Sequence, residues 1–335
     1  MSEQELLASV VISTYNRADA LGKTLAALGH QDIAAERYEL IVVDDGSIDD
    51  TPGLLARADV PSALRTIRHE TNKGVSAGRN AGMQAAVGRY LIMLSDDLIV
   101  SPNFIAEHVR TLNRFPGTWV VGGFRQLESL TATPFGRYLD ALEARFTEER
   151  KSKPIAPGIW EMSWPTARNL SLPRADLERT GLFDERFRTT CEDQDLAERA
   201  RAAGIRFIYN EAIDCLHNDA AADLERYCRF QEGGASDTAL FVAVHGGPHL
   251  NSPIAHVNGR ALASDTWQLR TQKALKSALA RPRVMRFVHH AIRLSERLNA
   301  PDWFLARAYR SAISLAMFRG WRRGAQRWGL SEPPV

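Results

Sequence analysis

Residues 90–100 read Tyr-Leu-Ile-Met-Leu-Ser-Asp-Asp-Leu-Ile-Val, so an apolar run ends directly on a pair of carboxylates, Asp96 and Asp97. Desolvating an ionised Asp is costly, and one is rarely left at the mouth of a buried strand without a partner. A hard divalent cation is a suitable partner. Mg²⁺ and Mn²⁺ sites typically use one or two carboxylates, with substrate phosphate oxygens filling the remaining positions. Two more acidic clusters occupy comparable places. Ile41-Val42-Val43 runs into Asp44-Asp45-Gly46-Ser47, and Cys191-Glu192-Asp193-Gln194-Asp195-Leu196 reads as the opening of a helix. Three such clusters at element ends point to metal-assisted transfer from a phosphorylated donor.

Outward from residue 90, short β-rich runs alternate with helical patterns. Strands are expected at 8–13, 40–44, 64–68, 90–94 and 118–122, and helices at 18–28, 51–57, 75–87 and 102–113. Near-continuous Val and Ile runs favour a parallel sheet covered on both faces. The fold class is therefore α/β, a Rossmann-like, mostly parallel sheet flanked by helices, with ligands beyond the carboxyl ends of the strands. Tyr15, Asp44, Asp45, Asp96 and Asp97 all fall at such ends. After Phe124 the alternation weakens. Residues 125–163 read as a loop-and-helix insertion, strand character returns near 169–172 and 205–209, a helix is expected over 195–203, and 220–335 is predominantly helical.

At 335 residues the chain can bury a substantial core in one large domain or two. Apolar and charged fractions of 44% and 24% exclude wholesale disorder. A net charge of +2 gives no argument for a nucleic-acid partner. The charge is uneven, however. From Arg281 onward there are eleven Arg, no Lys and three acidic residues. Over 303–328, Phe304, Ala308, Ala312, Leu315 and Phe318 supply apolar positions, and Arg307, Arg310, Arg319, Arg322, Arg323 and Arg327 a basic face. Two readings stay open: a helix packed on the catalytic core with a solvated basic side, or a tail docked on an anionic membrane surface with Trp303, Trp321 and Trp328 at headgroup level. Cys191, Cys215 and Cys228 are odd in number and lack C-x-x-C spacing, which fits reduced thiols in the cytosol. The acidic start, Met-Ser-Glu-Gln-Glu, is unlike a secretory signal, and no stretch approaches the roughly 18 apolar residues of a spanning helix. A cytoplasmic protein, at most peripheral on the cytoplasmic face of the membrane, is expected.

Seven blocks then follow in order. They are Val10-Val11-Ile12-Ser13-Thr14-Tyr15-Asn16-Arg17, Val42-Val43-Asp44-Asp45-Gly46-Ser47, residues 72–82 (Asn72-Lys73-Gly74 through Gly78-Arg79-Asn80-Ala81-Gly82), Leu94-Ser95-Asp96-Asp97, Asn169-Leu170-Ser171, Gly181-Leu182-Phe183-Asp184-Glu185 and Glu192-Asp193-Gln194-Asp195-Leu196. Together they resemble the family 2 glycosyltransferases, inverting enzymes of GT-A fold, over roughly residues 8–245. The resemblance implies a nucleotide-sugar-binding half in 1–124, an acceptor-binding and catalytic half of the same domain in 125–245, and a helical, Arg-rich C-terminal extension in 246–335. It implies that Ser13, Tyr15, Asp45, Arg79 and Asp96 bind the nucleotide sugar. Tyr15 offers its face to a pyrimidine, a contact worth about 1–3 kcal/mol. Asp45 accepts from the base edge, Arg79 meets base or diphosphate, and Asp96 touches the ribose. Asp97 is implied as a ligand of Mn²⁺ or Mg²⁺, and His217 as a further ligand or a diphosphate contact. Ser95 stands where the commonest family pattern has an additional Asp.

By the same resemblance Asp193 is the general base that takes the proton of the acceptor hydroxyl, while Glu192 orients the site or the acceptor. Acidic residues at a helix start also favour the macrodipole without any catalytic part, and a lone His is often structural. Asn169 falls on acceptor or diphosphate. So do Arg226 and Arg229, in a segment similar to the Q/R-x-x-R-W motif of processive synthases, with Phe230 for Trp. The expected function is metal-dependent, inverting transfer of one sugar from a nucleoside-diphosphate sugar, a UDP-sugar, to a hydroxyl of a glycan or lipid-linked acceptor. A non-catalytic partner that binds nucleotide sugar or scaffolds a glycan assembly is the alternative, and it would be favoured by an absent base or metal ligand. A sugar-nucleotide pyrophosphorylase needs a Gly-rich loop with Arg and Lys where Ser13-Thr14-Tyr15-Asn16 stands, and a dinucleotide oxidoreductase needs G-x-G-x-x-G there.

Overall fold

The apolar runs become strands β1 (Ala8–Thr14), β2 (Tyr38–Asp44), β3 (Ala63–Arg68) and β4 (Tyr90–Ser95), linked by helices α1 (Ala18–Leu28), α2 (Thr51–Arg57) and α3 (Val75–Ala85). The structure is a computed structural model that describes residues 6–218, 223–246, 253–262 and 264–330. The chain continues through β5 (Leu98–Val100), α4 (Phe104–Arg114), β6 (Thr118–Gln126), α5 (Glu128–Thr131), α6 (Pro134–Arg150), β7 (Lys151–Ala156), β8 (Ile159–Met162), β9 (Asn169–Pro173), α7 (Leu177–Thr180), α8 (Glu192–Ala202) and β10 (Arg206–His217). Strand order is β3-β2-β1-β4-β9-β6-β10-β8-β7, with β5 paired to β10. The sheet is mixed. Strands β3, β2, β1 and β4 run parallel, and β9 runs antiparallel to both its neighbours.

Two compact units divide the chain. One comprises Met1–Leu130, Leu139–Arg186 and Glu192–Asp219, and holds the sheet; the other comprises Thr131–Tyr138, Phe187–Cys191 and Ala220–Val335. In the first unit the central strands β1, β2 and β4 are buried along nearly their whole length because each feeds two cores. Val10, Ile12, Leu40, Val42, Ile92 and Leu94 share one with Leu21, Leu25 and Leu28 of α1 and Phe104 and Ile105 of α4. Val11, Ile41, Val43, Leu91 and Met93 share the other with Met83 of α3 and Leu196, Ala197 and Ala200 of α8. The period-two alternation of a strand sends successive residues to opposite faces. Helix α3 sits unusually close to β1. A Cβ at Gly82 would stand 2.3 Å from Val11 Cγ1, and one at Gly78 2.1 Å from Ser13 Oγ. Those two glycines thus set Arg79 beside the end of β1.

Residues 125–163 hold more order than a loop-and-helix insertion. Strand β6 runs to Gln126, and β7–β8 form a hairpin that turns at Gly158, φ 69°. Pro154 is tolerated because β7 is an edge strand. Strand β10 also outruns its pattern. An irregularity between Asn210 and Asp214 interrupts the apolar sequence, yet pairing resumes and carries the strand to His217.

The second unit contains α9 (Leu224–His245), α10 (Pro253–Asn258), α11 (Trp267–Leu279), α12 (Pro282–Arg297) and α13 (Asp302–Arg327). Helices α9 and α13 approach at backbone distance. A Cβ at Gly320 would stand 1.9 Å from the carbonyl oxygen of Glu232, and one at Gly324 2.5 Å from that of Ser236. Trp321 packs there on Ala235, Ala239 and Val242. Within the 303–328 tail, α13 is thus a core helix of its unit: Trp321 is buried, while Trp303 remains exposed. Helix α9, expected with the catalytic half, groups with these helices for the same reason. No described helix is long and apolar enough to cross a membrane.

Candidate functional site

Parallel register brings three strand ends level, with Thr14 opposite Asp44 and Ser13 opposite Ser95. Thr14 Oγ1 accordingly donates to Asp96 Oδ2 at 2.7 Å, and the Asp45 N–H donates to the Thr14 carbonyl at 2.9 Å. The chain then turns at Asn16, φ 53°, a left-handed conformation that Asn tolerates. Asn16 is pinned from both sides: its N–H donates to Ser47 Oγ, and its Oδ1 accepts from the Ile48 N–H. Tyr15 is left 42% exposed at the strand end.

Around the carboxylate pair, Arg17 Nη2 donates to Asp97 Oδ2 at 2.6 Å, and Arg17 Nε lies 3.3 Å from Asp96 Oδ1. His217 Nε2 lies 3.1 Å from the same Asp97 oxygen, and His217 Nδ1 3.1 Å from Gln126 Oε1. His217 arrives there because β10 pairs antiparallel with β5, opposite Leu98. Burial by itself would raise the Asp97 carboxyl. The His217 hydrogen bond and the charges of His217, Arg17 and Arg168 overcome it and hold the group well below the usual carboxylate range.

Asp97 Oδ1 is buried and has no hydrogen-bond partner, a costly condition for a carboxylate. These residues fit a divalent cation. Oδ1 offers an unused oxygen, His217 is the neighbouring donor, and Gln126 is the outer contact that leaves Nε2 for a metal. Among the described residues no group of three or more His, Cys, Asp or Glu could hold an ion by itself. A cation held here would take its remaining ligands from water or from substrate oxygens.

Asp45 faces inward. Its Oδ1 accepts from His69 Nδ1 at 2.7 Å and from the Lys73 N–H at 3.0 Å, and its Oδ2 accepts from the Gly74 N–H at 2.8 Å. It thereby shapes the glycine turn that opens α3. Farther along α3, Arg79 Nη1 donates to Glu192 Oε1 at 2.5 Å, with the guanidinium 5.6 Å from the centroid of the Phe183 ring. Asn80 holds the 181–185 loop, donating to the Phe183 carbonyl at 2.9 Å and to Glu185 Oε1 at 3.0 Å.

Glu192 and Asp193 form the first turn of α8. Burial, reinforced by the adjacent Asp193 charge, outweighs Arg79 and pushes the Glu192 carboxyl up to about 7. Its Oε2 is buried without a partner. Asp193 is half-buried, and its Oδ1 accepts from the Gln194 N–H at 2.9 Å.

The raised Glu192 carboxyl sets a sign for pH dependence. Between 4.5 and about 7 the folded state binds more protons than the unfolded chain, so stability falls as pH rises through that window. Glu192→Gln should remove this part of the fall. Scanning calorimetry at stepped pH should show the variant gaining on the native protein as pH rises. A constant difference would mean that Glu192 is ionised throughout.

The remaining expected site residues are Asn169, Arg226 and Arg229. Asn169 is fully buried; its Nδ2 donates to the Gly123 carbonyl at 3.1 Å and its Oδ1 accepts from His108 Nε2 at 2.9 Å. His108 is held well below its ordinary range, to about 3, because it is buried. The neutral ring accepts a hydrogen bond from the Ser171 hydroxyl on Nδ1 at 2.7 Å. Arg226 and Arg229 belong to the second unit, at the start of α9, where Arg229 pairs with Glu225 at 3.3 Å. Sequence reasoning passed over Arg17, Asn80, Gln126 and Arg168. For Arg17 a signal existed: it caps the N-terminus of α1, where a cation opposes the macrodipole, and so calls for a carboxylate partner. The others gave none, since the groups they meet at the site, the Phe183 carbonyl, His217 and Asp97, lie far from them in the chain.

Residues 9–165 match the family model described as glycosyl transferase family 2. The uncharacterized glycosyltransferase YfnE of Bacillus subtilis (strain 168) is 29% identical over 180 residues, spanning 54% of this chain and 43% of that protein. Validoxylamine A glucosyltransferase of Streptomyces hygroscopicus subsp. jinggangensis (strain 5008) is 28% identical over 223 residues, 59% of this chain and 52% of that one. The chain thus spans about half the length of the curated relatives it matches. Among solved structures, the mannosyltransferase PcManGT from Pyrobaculum calidifontis, in complex with GDP-Man and Mn²⁺, superposes with a TM-score of 0.57 at 20% identity, over 96% of this chain and 88% of that one. That likeness is one of fold.

Proposed function

We propose that this chain, whose residues 9–165 match glycosyl transferase family 2 and whose fold is of GT-A type, transfers a single sugar from a nucleoside-diphosphate sugar to an acceptor hydroxyl with inversion at the anomeric carbon. The observation that carries the reading is the buried, partnerless Oδ1 of Asp97 beside His217. Asp97 and His217 would hold Mn²⁺ or Mg²⁺, which when bound neutralises charge on a departing diphosphate. We take UDP as the carrier, with the exposed ring of Tyr15 stacked on its base. Asp45 fixes the glycine turn on which the base edge rests, while Ser13 and Asp96 meet the ribose. Asp96 is oriented for this by Thr14 and Arg17. Arg79, clamped by Glu192, presents its remaining N–H groups to base or diphosphate.

Asp193 takes the proton of the acceptor hydroxyl as that oxygen bonds to the anomeric carbon. The glycosidic C–O bond breaks at the same time, and its electron pair leaves with the diphosphate. Glu192 Oε2 supplies a hydrogen bond to a sugar or acceptor hydroxyl. Asn169 acts from behind the site, bracing β9 against β6 through the Gly123 carbonyl. The alternative of a non-catalytic binding partner has no observation in its favour, since the carboxylates proposed here as base and metal ligand, Asp193 and Asp97, are both present.

A thermal-shift panel of UDP, GDP and CDP sugars with Mn²⁺ tests the reading. A UDP-sugar should raise the unfolding midpoint most, because a ligand that binds only the folded state at about 100 times its Kd contributes about 2.7 kcal/mol. No shift with any nucleotide sugar would overturn it.

A further inference from the structure

Helix α12 buries Met285, His289 and Ile292. On its opposite side Phe287, Leu294 and Leu298 are 72%, 50% and 72% exposed, and their spacing of seven and four residues aligns them on one face. Arg283, Arg286, His290 and Arg297 are exposed alongside. The single carboxylate of the helix, Glu296, is engaged by the Tyr309 hydroxyl at 2.5 Å. The outward face therefore carries cations and hydrocarbon together. The following turn adds exposed Trp303 and Phe304, with the Arg307 guanidinium 5.5 Å from the centroid of the Trp303 ring. At the first turn of α12 lies an open cleft of 410 Å³, lined by Arg281, Arg319, Arg322 and Arg323 with Glu232 as the single counter-charge.

We propose that this unit docks on an anionic lipid bilayer through α12, with the Phe287–Leu294–Leu298 stripe at the acyl boundary and headgroup phosphates met by the four-Arg cleft. Large apolar side chains exposed together on one helix face, rimmed by cations, mark an interaction surface. The partner must offer hydrocarbon and negative charge within one helix width, and a bilayer with anionic headgroups offers both. A second copy of this chain would set Arg against Arg. The proposal deepens the transfer reading only in bringing a lipid-held acceptor to the enzyme. Vesicle binding needs neither donor nor acceptor, so its failure leaves that reading standing.

Co-sedimentation of the full chain with phosphatidylglycerol–phosphatidylcholine vesicles tests it, against phosphatidylcholine alone and at low and high salt. Binding should require the anionic lipid and weaken as salt screens it. Phe287→Glu with Leu294→Glu, both exposed and harmless to the core, should lower partitioning by about 10-fold or more. Arg281→Gln with Arg322→Gln should weaken it and flatten its salt dependence. Equal binding to neutral vesicles, retained binding by the Glu variant with an unchanged melting midpoint, or a dimer in sedimentation velocity that the Glu variant abolishes would each overturn the proposal.

Discussion

Replacing Asp193 by Asn should lower turnover by about 10²–10⁴-fold, the usual contribution of general base catalysis, while nucleotide affinity stays nearly unchanged. The side chain keeps its shape and loses only its basic oxygen. Asp193 is half-buried, and its recorded hydrogen bond is the short-range one from the Gln194 N–H, which an Asn oxygen also accepts. The fold should therefore survive. Steady-state rates and calorimetric binding of UDP, measured on the same preparation, separate chemistry from binding. Near-normal turnover in the variant would move the role to Glu192, whose buried Oε2 is the neighbouring unused carboxyl oxygen.

Asp97→Asn should erase the difference between UDP affinities measured with and without Mn²⁺, and should lower turnover by about 10²-fold or more, since a bound cation contributes several kcal/mol to a developing charge. The prediction has a structural side. Asp97 is the acceptor for Arg17 and His217, and removing its charge weakens this buried cluster, although Arg17 keeps Asp96 as a partner. A lowered melting midpoint would accompany the loss. Arg17→Gln provides the control: it removes the competing cation but leaves the carboxylate, so Mn²⁺ dependence should persist. Retained Mn²⁺ dependence in Asp97→Asn would remove Asp97 from the metal.

Much of the first unit was legible because its signals are local. The Val-rich runs of β1, β2 and β4 are buried on both faces, so their composition alone identifies them. The acidic pairs stand at the ends of those runs, and the register of parallel strands levels such ends without further instruction. The β7–β8 hairpin was not legible. It is an edge element with Pro154 in one strand, and its pairing is decided by β10 rather than by its own pattern. His217 was placed beside Asp97 by resemblance alone; its own neighbourhood in the sequence gave no sign of it, because the contact depends on β10 pairing with β5 across 120 residues.

The tail shows the same division most clearly. Eleven Arg among the residues from 281 onward mark a basic segment on any reading of the sequence, but charge count cannot say which helix faces solvent. Gly320 and Gly324 decide it for α13: without a Cβ, its backbone closes on α9 and Trp321 is buried. The apolar exposure then falls to α12. By itself the sequence determined the α/β class, the strand ends and the residue types that gather there, because composition and periodicity are properties of the chain. Only tertiary structure decided that Arg17 neutralises Asp97, that Asn169 lies inside, that Glu192 is buried deeply enough to hold a proton near neutrality, and which face of the second unit is left uncovered. Each of these depends on distance and desolvation between residues far apart in the chain, and neither quantity exists before the chain folds.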